Sequence, residues 1–494
     1  MKADFNLVDD GWIKLSGVQD PVSLRQIFDM TDPPELAGTP IQKMIVFRLL
    51  LAIVQVACPL EDEDDYLDLS VEEMKAQVRT YLEQKKACFY LLDADRPFLQ
   101  HPGVKVLDAK KLLPLAAFLP GVCSGNATLL FDNNCQPASI SDSDRVYALL
   151  SVVTFGMGGK KPDKALVFSK GLVKKSAPAS PALGRGWLHS FPMSRDLYQS
   201  LKLNLVTAEM LEQSELSFLP KGVGIPPWEK MPTTEVGEDA IDYTQSLVGW
   251  LVPISRYCRF FGDGIYMASG VSYPSITTAQ CDLTVSTQNV VKGSTQKITA
   301  VRAQRVKAPW RELSAVLAFC GDRRLEGCRA LKLVRTLRQD DMTAIWCVGL
   351  QVSEQSGEQY MSGSDDFVES VFSIAPGWQD TLFFKQYCDE MAWIDAVRKT
   401  VYGCVTHYYK ELAASELGLD FAAKAVAVFW GLCGPSGVKM VEACGVSDPR
   451  AYRQVFRDAA IFAYDAVCPK LSARQLMAYQ KCRPFFKKQD EVKK

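Results

Sequence analysis

Histidine is scarce in this chain. Among 494 residues there are three, His101, His189 and His407, and none has a second histidine at a metal-ligand spacing. The chain also lacks a G-x-S-x-G elbow, an HExxH helix, an EF-hand loop and a P-loop. Each histidine therefore reads first as a structural or surface residue, with general acid or base work as the alternative. Cysteine numbers 15, yet no two form a C-x-x-C pair, so no structural zinc site is expected. Contexts such as VQVACPL around Cys58 and AIWCVGL around Cys347 suit buried thiols in a reducing cytosol. No charge of one sign dominates. Lys and Arg total 56 against 57 for Asp and Glu, a net charge of −1, which excludes a histone-like polycation. Any contact with nucleic acid must come from local basic patches. Long apolar runs are missing as well. The longest, 44–60, is interrupted by Arg48 and Gln55 and falls short of the ~20 residues of a membrane span, so it reads as a buried helix. The opening MKADFNLVDDGW has acids where a signal peptide would need an apolar core. The expectation is a cytoplasmic protein with no membrane partner.

What is present is a globular composition, 48% hydrophobic and 23% charged, with chain enough for more than one domain. No internal repeat is visible. Residues 1–375 read as mixed α and β. Helical patterns cover 43–58 and 71–86, and β-branched or aromatic runs cover 288–291, 297–301 and 344–352. After Pro376 the pattern becomes helical: 381–412, then 419–444 interrupted at Gly434-Pro435, then 450–467 opened by Asp448 as N-cap with Pro449 first in the helix, then 471–488. The expected fold is α+β, a large mixed domain over 1–375 followed by a four-helix bundle over 376–494.

Two stretches are rich in loop residues, 156–192 and 353–366. The first opens FGMGGKKPDK. Gly156, Gly158 and Gly159 fit neither the P-loop nor the dinucleotide pattern. They do allow very close backbone approach to a ligand, with Lys160, Lys161 and Lys164 to hold flanking phosphates. A narrow groove of duplex DNA suits that chemistry, and a plain tight turn with solvated lysines is the alternative. Arg323, Arg324, Arg329, Lys332, Arg335 and Arg338 have near-helical spacing, as a solvated face or a phosphate-contacting stripe. Lys481, Arg483, Lys487, Lys488, Lys493 and Lys494 read as a frayed, solvated tail. Phe131, in LLFDNN, reads as the end of a short strand.

The order of these segments resembles the CasA family, the large subunit of type I-E Cascade, the RNA-guided CRISPR surveillance complex. NLVDDGWIKL resembles the family's opening strand, RPFLQHPGVK its Pro-Phe-hydrophobic-Gln segment, and SGNATLLFDN its loop L1. FGMGGKK falls at the glycine loop, with SAPASPALGRG after it. Residues 243–260, with Trp250 and Arg256, resemble the Trp/Arg strand region, and Ala308-Pro309-Trp310-Arg311 precedes the terminal helices.

The resemblance implies a non-catalytic subunit without metal or cofactor. Such a subunit recognises the protospacer-adjacent motif (PAM) of double-stranded target DNA, largely from the minor groove. It helps open the duplex for the guide RNA and helps recruit a helicase-nuclease. Its other partners are the backbone, small and 5′-handle-binding subunits. Protein then reads motif and shape while base pairing reads sequence. Carried over by residue, Gly156, Gly158 and Gly159 match the glycine loop. Phe131 and Asn133 match L1, near guide RNA and target. Gln355 matches the wedge glutamine, with Gln359 second and Glu354 where an amide would be expected. Lys164, Arg256, Arg329, Lys332 and Arg335 are the remaining candidates for phosphate contact. The lysine finger of some members is missing from FFGDGIYMASG. Either Arg256 or Arg259 replaces it or PAM preference differs. The Cys-rich insertion of some members is missing too. Two other readings stand beside this one: a nucleotide-binding enzyme that uses the Gly/Lys loop, and a pure scaffold.

Overall fold

The computed structural model describes residues 4–118, 140–155, 163, 165–172, 186–213, 216–274, 282–292, 295–321, 327–337, 342–351, 367–374, 378 and 381–486. The chain divides into two compact units. The first comprises Met1–Arg305 and Gly327–Glu369, the second Val306–Glu326 and Ser370–Lys494.

The first unit is built on the helix Pro40–Ala57. Thr39 caps it and shares a capping box with Gln42, and Pro40 occupies the first turn, where its missing N–H costs nothing. Apolar residues surround this helix on all sides, so it is the buried centre of one continuous core. Its two polar interruptions are both satisfied. The Gln55 amide exchanges hydrogen bonds of 2.8 and 2.9 Å with the backbone of Val206. Arg48 pairs with Asp282 at 2.5 Å and donates to the carbonyls of Trp250 and Leu251. The helix Val71–Lys85 packs against it, opened by a Ser70–Glu73 capping box.

The strands of this unit form small sheets. His189–Met193 pairs antiparallel with Ala344–Leu350, Phe191 opposite Trp346, and the strand beginning at Phe367 lies beside Ala344–Leu350, with Phe367–Glu369 in this unit. A second sheet runs Leu113–Pro114, Gly264–Ser269, Arg256–Phe261. Its central hairpin turns through Gly262-Asp263, with Gly262 at φ +62°, the left-handed conformation that two-residue turns favour. Thr287–Lys292 and Thr295–Ala300 form a separate hairpin over the runs expected at 288–291 and 297–301.

The second unit is helical: Thr381–Glu411, Ser415–Ala443, Arg453–Val467 and Ala473–Cys482. Three details differ from the sequence reading. The break expected at Gly434-Pro435 does not occur. Pro435 is exposed, and Gly431, the residue whose carbonyl loses its donor, is exposed too, so that carbonyl is not left buried and unsatisfied and the helix runs through. The third helix starts later than Arg450. Asp448 caps the 3₁₀ turn Pro449–Tyr452, and the α-helix begins at Arg453. The fourth spans ten residues rather than the whole of 471–488.

The units divide the chain at 369/370 where 375/376 was expected, and Val306–Glu326 belongs with the helices. The cause is Trp310. Its carbonyl accepts the Tyr387 hydroxyl at 2.9 Å, its ring meets Trp430 edge-on, and the Arg311 guanidinium lies 3.5 Å from the Trp430 centroid.

Among the described residues two helices, Pro40–Ala57 and Ser415–Ala443, are long and apolar enough to cross a membrane by length and composition. The first is almost wholly enclosed by its own unit. The second buries one face, including Ala422, Ala425, Phe429, Cys433 and Met440.

Candidate nucleic-acid interface

Most residues put forward for nucleic-acid contact lie outside the described residues: Gly156, Gly158, Gly159, Lys160, Lys161, Lys164, Phe131, Asn133, Glu354, Gln355 and Gln359. So do Arg323, Arg324 and Arg338, and nothing is described of the Arg335 side chain. What the structure does describe is how the chain enters and leaves these segments.

The helix Asp142–Phe155 lies between segments 119–139 and 156–162 and runs along the hairpin Arg256–Phe261/Gly264–Ser269. Near its start Arg145 forms a 2.6 Å ion pair with Asp263 at the hairpin turn. At its far end the carbonyls of Val153 and Thr154 accept the amide and hydroxyl of Ser255, at 2.9 and 3.4 Å, at the hairpin's base. The match in length is physical: 14 helical residues and six paired strand residues both span roughly 20 Å.

Five consecutive positions of the same hairpin hold the other stems. The Leu115 amide donates to the Asp263 carbonyl at 3.0 Å. Pro114 and Leu113 pair with Gly264 and Ile265, where the absence of a β-carbon on Gly264 leaves room for Leu112. The buried Tyr266 hydroxyl accepts the amides of Leu107 and Asp108 at 3.2 and 3.0 Å and donates to the Asp163 carboxylate at 2.5 Å. The Met267 carbonyl accepts the Asp163 amide at 2.7 Å.

Asp163 is 1% exposed. Burial alone would raise its carboxyl pKa, but Lys111 at 2.7 Å and the Tyr266 hydroxyl outweigh burial and hold it below the usual range. The phenol of Tyr266 is pushed up by burial and by that carboxylate. The sequence placed Asp163 only within a run of loop residues. Nothing in the sequence marks its partners.

The motif RPFLQHPG is a staple onto this hairpin. Gln100 donates to Leu91 and accepts from the Phe260 amide, at 2.7 and 2.8 Å. His101 accepts the Gly103 amide at Nδ1, which leaves Nε2–H facing the Thr233 carbonyl at 3.2 Å. Packed at a tilt against the Phe168 and Tyr257 rings and depressed by burial, His101 is a core residue. His189 is buried too, its pKa pushed down to about 3 by desolvation, and His407 sits exposed on a long helix.

Neither arginine named as a substitute for the lysine finger stands clear of the fold. Arg256 is 5% exposed, which also leaves it little access to a phosphate. Arg259 grips the carbonyls of Pro102 and Ala94 at 2.6 and 2.7 Å. Arg329 and Lys332 lie half-buried on the helix Arg329–Leu337, with Leu331 and Val334 inward. The Arg329 guanidinium sits 5.4 Å from the Phe218 centroid. Among the described residues no group of three His, Cys, Asp or Glu side chains could hold a metal ion. The buried thiols Cys58, Cys258 and Cys347 are pushed up to about 12 by desolvation.

A family model for CRISPR-associated protein Cse1 matches residues 6–462. The chain belongs to the Cse1 family. Solved structures carry the same fold. Thermus thermophilus CasA (Cse1) matches with a TM-score of 0.71 and 18% identity, over 97% of both chains. Thermobifida fusca Cse1 matches with a TM-score of 0.71 and 17% identity, over 97% of this Cse1-family chain and 93% of that one. A chain from a structure described as a CRISPR RNA-guided surveillance complex matches with a TM-score of 0.71 and 14% identity, over 97% of this chain and 98% of that one. No curated protein matches. The family is the one that the order of sequence motifs resembles.

Proposed function

We propose that this chain is the non-catalytic large subunit of a type I-E RNA-guided CRISPR surveillance complex in the prokaryotic cytoplasm. In this reading it recognises the PAM of double-stranded target DNA from the minor groove, promotes duplex opening and R-loop formation, and helps recruit the helicase-nuclease. Its partners are target DNA, guide RNA and the backbone, small and 5′-handle-binding subunits. The observation that carries the reading is the Cse1 family match across residues 6–462.

Gly156, Gly158 and Gly159 bring backbone to the minor-groove edge, and Lys160, Lys161 and Lys164 hold flanking phosphates. A degenerate groove read this way gives tolerant sequence choice. Gln355, or else Gln359, with Glu354 beside it, is the wedge, and Phe131 and Asn133 meet guide RNA and target. Arg329, Lys332 and Arg335 add phosphate contact. The test is target binding by the assembled complex carrying Gly158→Asp together with Gly159→Asp. Binding falls if the reading holds, because two carboxylates are placed against phosphates. Unchanged binding contradicts it.

A further inference from the structure

The charged core of Asp163, Tyr266 and Lys111 has no place in the function proposed so far. An almost fully buried carboxylate is costly unless it is paired and hydrogen-bonded, and here every connection leads to a loop stem. Asp163 is the first residue after segment 156–162. Its backbone is tied to Met267 and its side chain to Tyr266, Lys111 and the Ala165 amide. Through the same hydroxyl Tyr266 also holds Leu107 and Asp108, on the approach to segment 119–139.

We infer that Asp163, Tyr266 and Lys111 form a stem clamp that positions the glycine segment for the PAM and ties it to the approach to L1. The inference rests on the function proposed above. Reading a groove by backbone contact leaves no long side chain to absorb an error in placement, so the loop ends must be fixed to a fraction of an ångström. The clamp supplies that fixity without touching DNA. These three are positioning residues. Their loss weakens discrimination between PAM and non-PAM duplexes and leaves the sequence-independent attraction to DNA intact.

The experiment uses the reconstituted guide-RNA complex at fixed salt. Affinity is measured for two target duplexes, one with a motif selected from a randomised library and one with that motif scrambled. The chains are wild type, Tyr266→Phe, Asp163→Asn, Lys111→Met, Lys111→Arg, and Gly158→Asp with Gly159→Asp. The clamp predicts that Tyr266→Phe, Asp163→Asn and Lys111→Met lower the ratio of the two affinities by roughly tenfold, the scale of one charge-assisted hydrogen bond. Assembly and scrambled-duplex affinity stay as in wild type, and Lys111→Arg keeps the ratio. A merely structural role would lower both affinities together, or the melting temperature alone. Should the buried substitutions fail to assemble, Lys111→Met decides, since its side chain is 38% exposed. An unchanged ratio in the assembled Lys111→Met complex overturns the clamp. If the glycine variant lowers the ratio and no clamp variant does, the clamp alone fails. If the glycine variant also leaves the ratio unchanged, the proposed reading of the loop fails and the clamp with it.

Discussion

Gly437 and Trp310 lie so close that a β-carbon on Gly437 would sit 2.3 Å from Cε2 of the indole. The ring fills the space the glycine leaves, and this contact fastens Val306–Glu326 to the helices. Gly437→Ala should destabilise the helical unit by about 1–3 kcal/mol, the cost of overpacking, even though alanine is the better helix former. Gly431→Ala on the same helix meets nothing within 4 Å and should stabilise by up to ~1 kcal/mol. Thermal unfolding of the two variants should move in opposite directions. A Gly437→Ala protein with a wild-type melting temperature would mean that the ring is free to shift.

The buried pair Arg48–Asp282 joins the central helix to the segment that leads into the hairpin Thr287–Lys292/Thr295–Ala300. Removing one partner strands a charge in the core. Asp282→Asn or Arg48→Met should each cost about 3–5 kcal/mol, and the double variant less than the sum of the two. Urea unfolding of the three variants forms the cycle. Strict additivity would show that the pair is not coupled.

Acid should weaken the first unit. His189 faces Arg48, Asp282 and Thr284, and its folded pKa of about 3 lies below the ~6.5 of an exposed histidine. The unfolded chain therefore binds a proton that the folded one refuses. This contribution is fully present above pH ~6.5 and is lost as pH falls from there towards about 3, by at most ~1.4 kcal/mol per pH unit. His101, also depressed by burial, acts in the same direction. Between pH 6.5 and 5, His189→Gln should lose about 1.6 kcal/mol less than wild type in urea unfolding. Equal slopes would place the acid sensitivity elsewhere.

Much of the helical architecture was legible because its signals are local. Asp448-Pro449 was read as a helix start and opens the 3₁₀ turn ahead of Arg453, while the capping boxes Thr39–Gln42 and Ser70–Glu73 are local signals of the same kind that the sequence reading passed over. The interrupted run 44–60 lies largely within a buried helix, and even Arg48 and Gln55 proved to be core residues with partners. What local signals do not carry is partnership. His189–Met193 pairs with a strand some 150 residues later, and no periodicity names that strand. Trp310 looked like part of a motif in the mixed domain, yet it packs with the helices, because an apolar side chain reports that it is buried and not against what. The loop stems show the same limit. The glycine run is visible as composition, whereas Lys111, Asp163 and Tyr266 stand 52 and 103 residues apart in sequence and become one cluster only through the fold.

The central claim is that this chain makes target binding depend on the PAM. The most direct measurement is duplex binding by the reconstituted guide-RNA complex, with and without this subunit, across a randomised PAM library at fixed salt. The account predicts motif-selective binding only when the chain is present. If the chain joins the complex and selectivity is the same without it, the recognition role is contradicted and the subunit is a scaffold.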